Sequence, residues 1–402
     1  MSNEVIITSA LRTPIGKYGG SLTGLASYDL GCIVLKEIVK RSNLGMPTVD
    51  DVVFGCAYQS GHYPNTARQA LLRAGFPVEV PGVTIDRQCI SGLESIAFGM
   101  NKIQNGEADI ILAGGAENMS NLPYYTIGSR WGHRLGHSTF YDWFTDASGT
   151  VSGPPERVGH LTMGMTAENL AERYGISREE MDDFAFLSHQ KAIKAIDESR
   201  MAQEIIPIEV KQKKDTITFS VDENPRREAS LKDLARLPAI FKEGGTVTAG
   251  NSCGMNDASA LVTLMSRGKA EELGCKGRAR LVAYSVSGVD PRYMGIGPVS
   301  STDLALKKAG LKMSDIELIE LNEAFAAQAI AVLREWEERG LRSRDIVNVN
   351  GGGIALGHPI GATGSRLVVT LLHEMERRNL RWGLASACVG GGMGGSLIIE
   401  RL

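Results

Sequence analysis

Residues 383–395 read GLASACVGGGMGG, a short apolar run that ends on Cys388 and Val389 and then places five glycines within six positions. Each glycine inside a regular element costs roughly 0.5–1 kcal/mol in chain entropy. A run like this makes sense where bare backbone must come close to a sulfur. Residues 108–117, ADIILAGGAE, have a similar form: an apolar strand-like run that closes on a glycine pair. Gly114-Gly115 and Gly390-Gly391 thus mark matching points in two copies of one unit.

The rest of the chain supports a duplication. In the first half, EVIITSA, a helical period from Tyr28 to Ser42, VDDVVFGCA, GVTID, a helix from Ser91 to Gln104, and ADIILAGGAE follow one another. The second half runs ARLVAYSV, STDLALKKAG, IELIELNEA, a helix near Phe325–Arg339, DIVNVNGGG, a helix beyond Thr363, and GLASACVGGG with GSLIIERL. Strands alternating with helices predict an α/β fold, here a duplicated one. Between the halves the texture changes. SNLPYYTIGSRWGHRLGHSTFYDWF is aromatic and turn-rich, TDASGTVSGPPERVG reads as an exposed loop, and the stretch from Thr162 to Ile196 is helical. Thr166 with Asn169, and Ser177 with Glu180, are expected at helix N-termini. The expected division is 1–118 plus 250–270 for the N-terminal half, 119–249 for an inserted cap, and 271–402 for the C-terminal half.

The chain of 402 residues is 43% hydrophobic and 22% charged with a formal net charge of −3, enough apolar content for two cores and too little basic excess for a general nucleic-acid binder. No window resembles a membrane span. The N-terminus lacks a signal or transit pattern, so a cytoplasmic protein is expected. The basic clusters Lys211, Lys213, Lys214 and Arg226, Arg227 read first as solvated surface. Six cysteines include no C-x-x-C pair, which argues against a zinc ribbon, and no metal is expected.

Four sites carry chemistry. Cys89 falls where a strand gives way to a helix whose face is Leu93, Ile96, Ala97, Met100 and Ile103, with Ser91 and Glu94 as a capping box. A helix N-terminus there is expected to lower the thiol pKa. His358 sits in NVNGGGIALGHPIGATGS, which has neither the G-K-[ST] ending of a nucleotide-hydrolase loop nor a G-x-G-x-x-G dinucleotide turn. Asn322 follows a strand-like run; it either caps the next helix or holds a water for an oxyanion. Taken together with Cys388, these residues describe thioester chemistry. One thiolate carries an acyl group, His358 takes its proton, the second cysteine removes an α-proton, and glycine N–H groups hold the oxyanion.

On SALRTPIGKYGGSL, GAENMSNLPYY, RWGHRLG, MGMTAENLAERYGISREEMD, GTVTAGNSCGMNDASA, GVDPRYMGIGP, NEAFAAQ, NVNGGGIALGHPIGATGSR and CVGGGMG, the chain resembles the thiolases, closest to the short acetyl-CoA acetyltransferase type. The resemblance spans nearly the whole chain. It implies the duplicated five-layer α-β-α-β-α core with an inserted loop domain, a homodimer or homotetramer, and acyl-CoA substrates with no further cofactor. By the same resemblance, Cys89 is the acylated nucleophile, His358 its base and Cys388 the α-carbon acid/base. Asn322 and His358 form one oxyanion hole, and the N–H groups of Cys89 and Gly390 form the other. Arg226 stands near the CoA nucleotide, while Met163, Met294 and Phe325 stand near the acyl and pantetheine pocket, with Ala249, Ser252 and Cys253 on the CoA side. The implied reaction interconverts two acetyl-CoA with acetoacetyl-CoA and CoA, with broader 3-ketoacyl-CoA thiolysis as the alternative. Ketoacyl synthases, which pair Cys with two histidines, and hydroxymethylglutaryl-CoA synthases, with Cys, His and Glu, fit less well. A non-catalytic lipid-binding relative would be expected to have lost a catalytic group. The chain departs from the family pattern at Ile90, which adds bulk beside Cys89, and at Asp86, Thr162 and Cys253. The loop Gly149–Val158 is also longer than usual.

Overall fold

The computed structural model describes residues 4–42, 44–59, 63–212 and 215–402. Lys213 and Lys214 of the first basic cluster lie outside the described residues; Lys211 is exposed. The elements that position the site are, in chain order, β1 (Val5–Arg12), α1 (Ser27–Ser42), β2 (Asp51–Gly55), α2 (Thr66–Ala74), β3 (Gly82–Ile85), α3 (Ser91–Gln104) and β4 (Ile110–Asn118). After α4 (Met163–Tyr174) and α5 (Arg178–Asp197) come β5 (Asn256–Ser266), β6 (Ala279–Gly288), α6 (Gly297–Ala309), β7 (Leu318–Leu321), α7 (Ala326–Glu338), α8 (Ile360–Arg378), β8 (Trp382–Val389) and β9 (Met393–Arg401).

The strand order β7-β8-β9-β6-β1-β5-β4-β2-β3 is a palindrome of two units. From the centre outward, β1, β5, β4 and β2 match β6, β9, β8 and β7, and so do their directions. β2–β4 and β7–β8 are parallel, while β4–β5, β5–β1, β8–β9 and β9–β6 are antiparallel. The counterpart of β3 has shrunk to a single parallel bridge, Ile319 to Val347. Only two residue pairs, Ile6–Arg280 and Ile7–Ala279, join β1 to β6 and thus one half to the other. The duplication read from the two glycine pairs is therefore present as a pseudo-twofold arrangement.

Five layers follow from where each apolar face goes. α1 and α2 bury Val34, Leu35, Ile38 and Leu71 against one face of the first half-sheet. α6 and α7 bury Val299, Leu306, Val332 and Trp336 against the outer face of the second. Between the half-sheets lie α3 and α8, whose Leu93, Ile96, Leu367 and Leu371 share one core with β1, β4, β8 and β9. α8 is buried almost all round, as a helix between two sheets must be.

Several local expectations change. The helix after the aromatic segment is capped by Thr162, whose hydroxyl accepts from Met165 N, so Thr166 lies inside α4; Ser177 does cap α5. The expected exposed loop holds two short helices, Trp143–Thr150 and Pro155–Val158, with Ser152 buried between them and bonded to the Leu161 carbonyl. The aromatic segment itself stands out from the core, with Trp131, Leu135 and Phe140 largely exposed.

Candidate active site

Cys89 sits in a tight turn, Gln88–Ile90, between β3 and α3. Gln88 adopts φ of 47°, a left-handed conformation uncommon for a residue with a side chain. Two side chains hold the turn. Asp86 accepts from Gln88 N at 2.7 Å, and the Ser91 hydroxyl accepts from Arg87 N at 2.9 Å while donating to the Gln88 carbonyl at 2.7 Å. Ser91 and Glu94 are thus not a capping box. Ser91 braces the nucleophile's turn, and Glu94 binds Arg87 and the Tyr284 hydroxyl. Ile90, expected to add bulk beside Cys89, is buried in the central core, where a Cβ on Gly395 would come within 2.5 Å of its Cδ1.

This turn packs against both α8 and β8. β8 carries Cys388 at its end, and the glycine run supplies the tight β8–β9 connection, with Gly391 and Gly392 at φ of 85° and 81°. Burial pushes the Cys89 thiol up to about 11, and N–H groups of Gly390 and of Cys89 itself, bonded to the sulfur, bring it only partly back. The expected lowering by the helix terminus is therefore outweighed: in the resting site the sulfur is a thiol. The two N–H groups that converge on it are the pair expected to form an oxyanion hole. Burial also raises Cys388 well above its ordinary value, and so does the repulsion its thiolate would meet from ionised Cys89 or Cys253. Cys253 is pushed up to about 12 by burial and then by Cys89. Three thiols from separate parts of the chain thus lie close enough to act on one another.

His358 lies between a short helix, Gly353–Leu356, and α8. Its Nδ1 is 2.7 Å from the Thr363 hydroxyl, which donates to the Pro359 carbonyl at 3.0 Å. A hydroxyl has one proton to donate, so the imidazole donates from Nδ1 and Nε2 is left as an acceptor. Nε2 faces Asn322 Nδ2 at 3.5 Å. Asn322 does not cap α7, whose N-cap is Phe325; its Oδ1 is buried without a protein partner. Burial, then the charge of Arg366, pushes His358 down to about 3, so the ring rests neutral.

The other expected binding residues fall in two places. Met294, Phe325 and Cys388 belong to one apolar cluster with Met163 against it, and Phe325 meets Phe241 edge-on. Arg226, Ala249 and Ser252 line a cavity of about 370 Å³ together with His189, Asn224 and Ser230. Cys253 donates its N–H to the Ala324 carbonyl beside the thiols. Sequence reasoning missed Thr363, His189 and Val151. A Cβ on Gly390 would lie 2.7 Å from Val151 Cγ2, which places the inserted segment directly over the glycine run. It also missed Glu117, which accepts from Ala57 N, Tyr58 N and Gly361 N and so ties the loop after β2 to the start of α8. Of these, only Thr363 had a readable signal, a hydroxyl one helical turn beyond the His-Pro step. Among the described residues no group of His, Cys, Asp and Glu is arranged to hold a metal ion, and no helix is long and apolar enough to cross a membrane.

Known proteins match along the whole length. The thiolase N-terminal domain family matches residues 5–268 and the thiolase C-terminal domain family residues 275–401. An acetyl-CoA acetyltransferase of Syntrophomonas wolfei is 46% identical over 100% of both chains, and one of Pseudomonas aeruginosa is 47% identical over 99% of both. The crystal structure of the Bacillus anthracis acetyl-CoA acetyltransferase superposes with a TM-score of 0.95 at 45% identity, covering 100% of this chain and 99% of that one. Human mitochondrial 3-ketoacyl-CoA thiolase gives 0.94 at 41% identity with the same coverage. Palindromic sheet, paired thiols and full-length likeness agree: the chain belongs to the thiolase family.

Proposed function

We propose that this protein is an acetyl-CoA C-acetyltransferase that condenses two acetyl-CoA to acetoacetyl-CoA and CoA, and runs the reverse thiolysis, by ping-pong kinetics. The reading rests on one observation above the rest: the Gly390 N–H meets the Cys89 sulfur, Cys388 is near enough to interact with that sulfur, and the Cys89 turn packs on the helix that follows His358. In the first half-reaction, His358 Nε2 accepts the Cys89 proton as the sulfur attacks the acetyl carbonyl. The N–H groups of Cys89 and Gly390 hold the oxyanion; the departing CoA thiolate takes the Cys388 proton, and His358 keeps the one from Cys89. In the second, the Cys388 thiolate removes a proton from the α-carbon of another acetyl-CoA. The enolate oxygen accepts from the protonated Nε2 of His358 and from a water on Asn322 Oδ1, and the α-carbon attacks the acetyl group on Cys89, which departs as thiolate and takes its proton back from His358. Only protons and an acyl group move, so the reaction calls for no cofactor beyond the CoA thioesters. Arg226, with Ala249, Ser252 and Cys253, would hold the CoA moiety. Met163, Met294 and Phe325 would wall the acyl end.

Relatives named acetyl-CoA acetyltransferase, at 46% and 47% identity, favour the short-chain substrate. The same reading takes in a cytoplasmic enzyme of fatty-acid metabolism that is a homodimer or homotetramer, with Trp131, Leu135 and Phe140 at a subunit contact, and halves divided at 1–118 plus 250–270 and 271–402 around the insert 119–249. Thiolysis rates across 3-ketoacyl-CoA of increasing length test the substrate: a steep fall beyond four carbons supports it. Absence of an acetyl adduct on Cys89 after exposure to acetyl-CoA, read by mass spectrometry, removes the mechanism.

A further inference from the structure

Asn322 and His358 belong to different elements, yet their side chains meet across 3.5 Å. Asn322 follows β7 directly, and His358 stands two residues before α8. Glu320 lies two residues before Asn322, on the same face of the strand by its alternation. Arg366 lies three residues after Thr363, on the same face of α8. Glu320 Oε2 accepts from Arg366 Nη1 at 2.7 Å, and each side chain is only 1% exposed. We propose that Glu320 and Arg366 are positioning residues: a buried strut between β7 and α8 that sets the separation of Asn322 and His358. The proposal rests on the acyl-transfer reading of that site.

Stability alone does not account for the pair. Glu320 Oε1, Arg366 Nε and Arg366 Nη2 are all buried with no protein partner. A half-satisfied buried ion pair generally contributes no more to folding than apolar side chains of similar volume would. Its placement does account for it. The two elements are joined by two rungs, Glu320–Arg366 and Asn322–His358, and the second rung is further tied to α8 through Thr363. The charge of Arg366 also opposes proton uptake at His358, so where Glu320 holds the guanidinium bears on the imidazole.

The test is the double variant Glu320→Leu/Arg366→Met in the full chain, which removes the strut without leaving a lone buried charge. We expect a cooperative melt no lower than the parent's, a kcat for acetoacetyl-CoA thiolysis reduced at least tenfold, and a KM within twofold. Parental kcat in the folded double variant overturns the strut. Should that variant not fold, isosteric Glu320→Gln decides, since it keeps the shape but replaces the carboxyl bond to Arg366 with a weaker amide one: a tenfold loss of kcat supports the proposal and an unchanged kcat overturns it. Absence of thiolysis in the parent would count against the acyl-transfer reading instead. The strut is then read from alkylation of Cys89 by iodoacetamide, which needs no acyl-CoA; a threefold slower rate in the double variant supports it and an equal rate removes it.

Discussion

Thr363 fixes the protonation pattern of His358: its hydroxyl, committed as a donor to the Pro359 carbonyl, can only accept from Nδ1. Thr363→Val keeps the shape and removes both bonds. We expect kcat for thiolysis to fall about tenfold with little change in KM, because the ring loses its preferred tautomer while the CoA cavity is untouched. The leftover buried polar groups should cost about 1–3 kcal/mol of stability, measured by urea unfolding. An unchanged kcat would show that the orientation of His358 is set elsewhere.

The Cys89 thiol, pushed up to about 11 by burial, depends on His358 for its reactivity at neutral pH. In His358→Ala we expect iodoacetamide alkylation of Cys89 to slow by at least tenfold at pH 7 and to rise steadily as pH approaches 11. The parent should react fastest at lower pH. If the two profiles coincide, His358 is not the base.

Cys388→Ala separates the half-reactions. Acetylation of Cys89 should persist, and exchange of α-protons of acetyl-CoA into deuterated water should drop by about 100-fold or more. Normal exchange in this variant assigns the α-proton to another group.

Gly390 tests the oxyanion hole through its neighbour. A Cβ there would press on Val151 Cγ2 at 2.7 Å and move the backbone N–H that points at the Cys89 sulfur. We expect Gly390→Ala to lower kcat about tenfold or more, and Val151→Ala/Gly390→Ala to recover most of that loss. Failure of the second change to help would mean the glycine is needed for some reason other than space.

His189 makes stability depend on pH in a defined direction. Burial, then the nearby charge of Arg226, lowers it to about 4, whereas in the unfolded chain it has the ordinary value of about 6.5. Below about 6.5 the unfolded chain takes up a proton that the folded one refuses, so stability is lost as pH falls towards 4. Relative to His189→Gln, the parent should lose up to about 3 kcal/mol across that window, read from urea unfolding at several pH values. Parallel curves would refute the buried neutral imidazole.

The sequence made legible what depends on local pattern. The glycine run after β8, the junction that carries Cys89 and the Gly-His-Pro step sit where the residues nearest in the chain imply, whereas Gly114-Gly115, expected to close their strand, lie inside β4. What was illegible depends on packing at a distance. The thiol of Cys89 is raised, not lowered, because it is desolvated by burial where its turn packs against α8 and β8, which are remote in sequence. Ser91 has the right spacing to Glu94 for a capping box, but a left-handed Gln88 turns its hydroxyl backward to brace the turn. Thr166 is a good cap by type, and Thr162 wins because the chain enters α4 four residues earlier. Val151 reads as part of a surface loop and instead lies against Gly390. Asn322 could be a cap or an oxyanion group on sequence alone; only the start of α7 at Ala326 decides against the cap.

At the crossing of α3 and α8 there is no side chain to yield. A Cβ on Gly92 would lie 2.6 Å from Ser365 N, and one on Gly364 would strike the backbone at Leu93. The helix that follows the nucleophile and the helix that follows the base therefore touch main chain to main chain, and reaction geometry is decoupled from substrate fit. On the proposed acyl pocket, redesign for longer or branched acyl groups would begin at Val151, Met163 and Phe325, where side chains and not main chain set the spacing; the crossing itself is a fixed chassis.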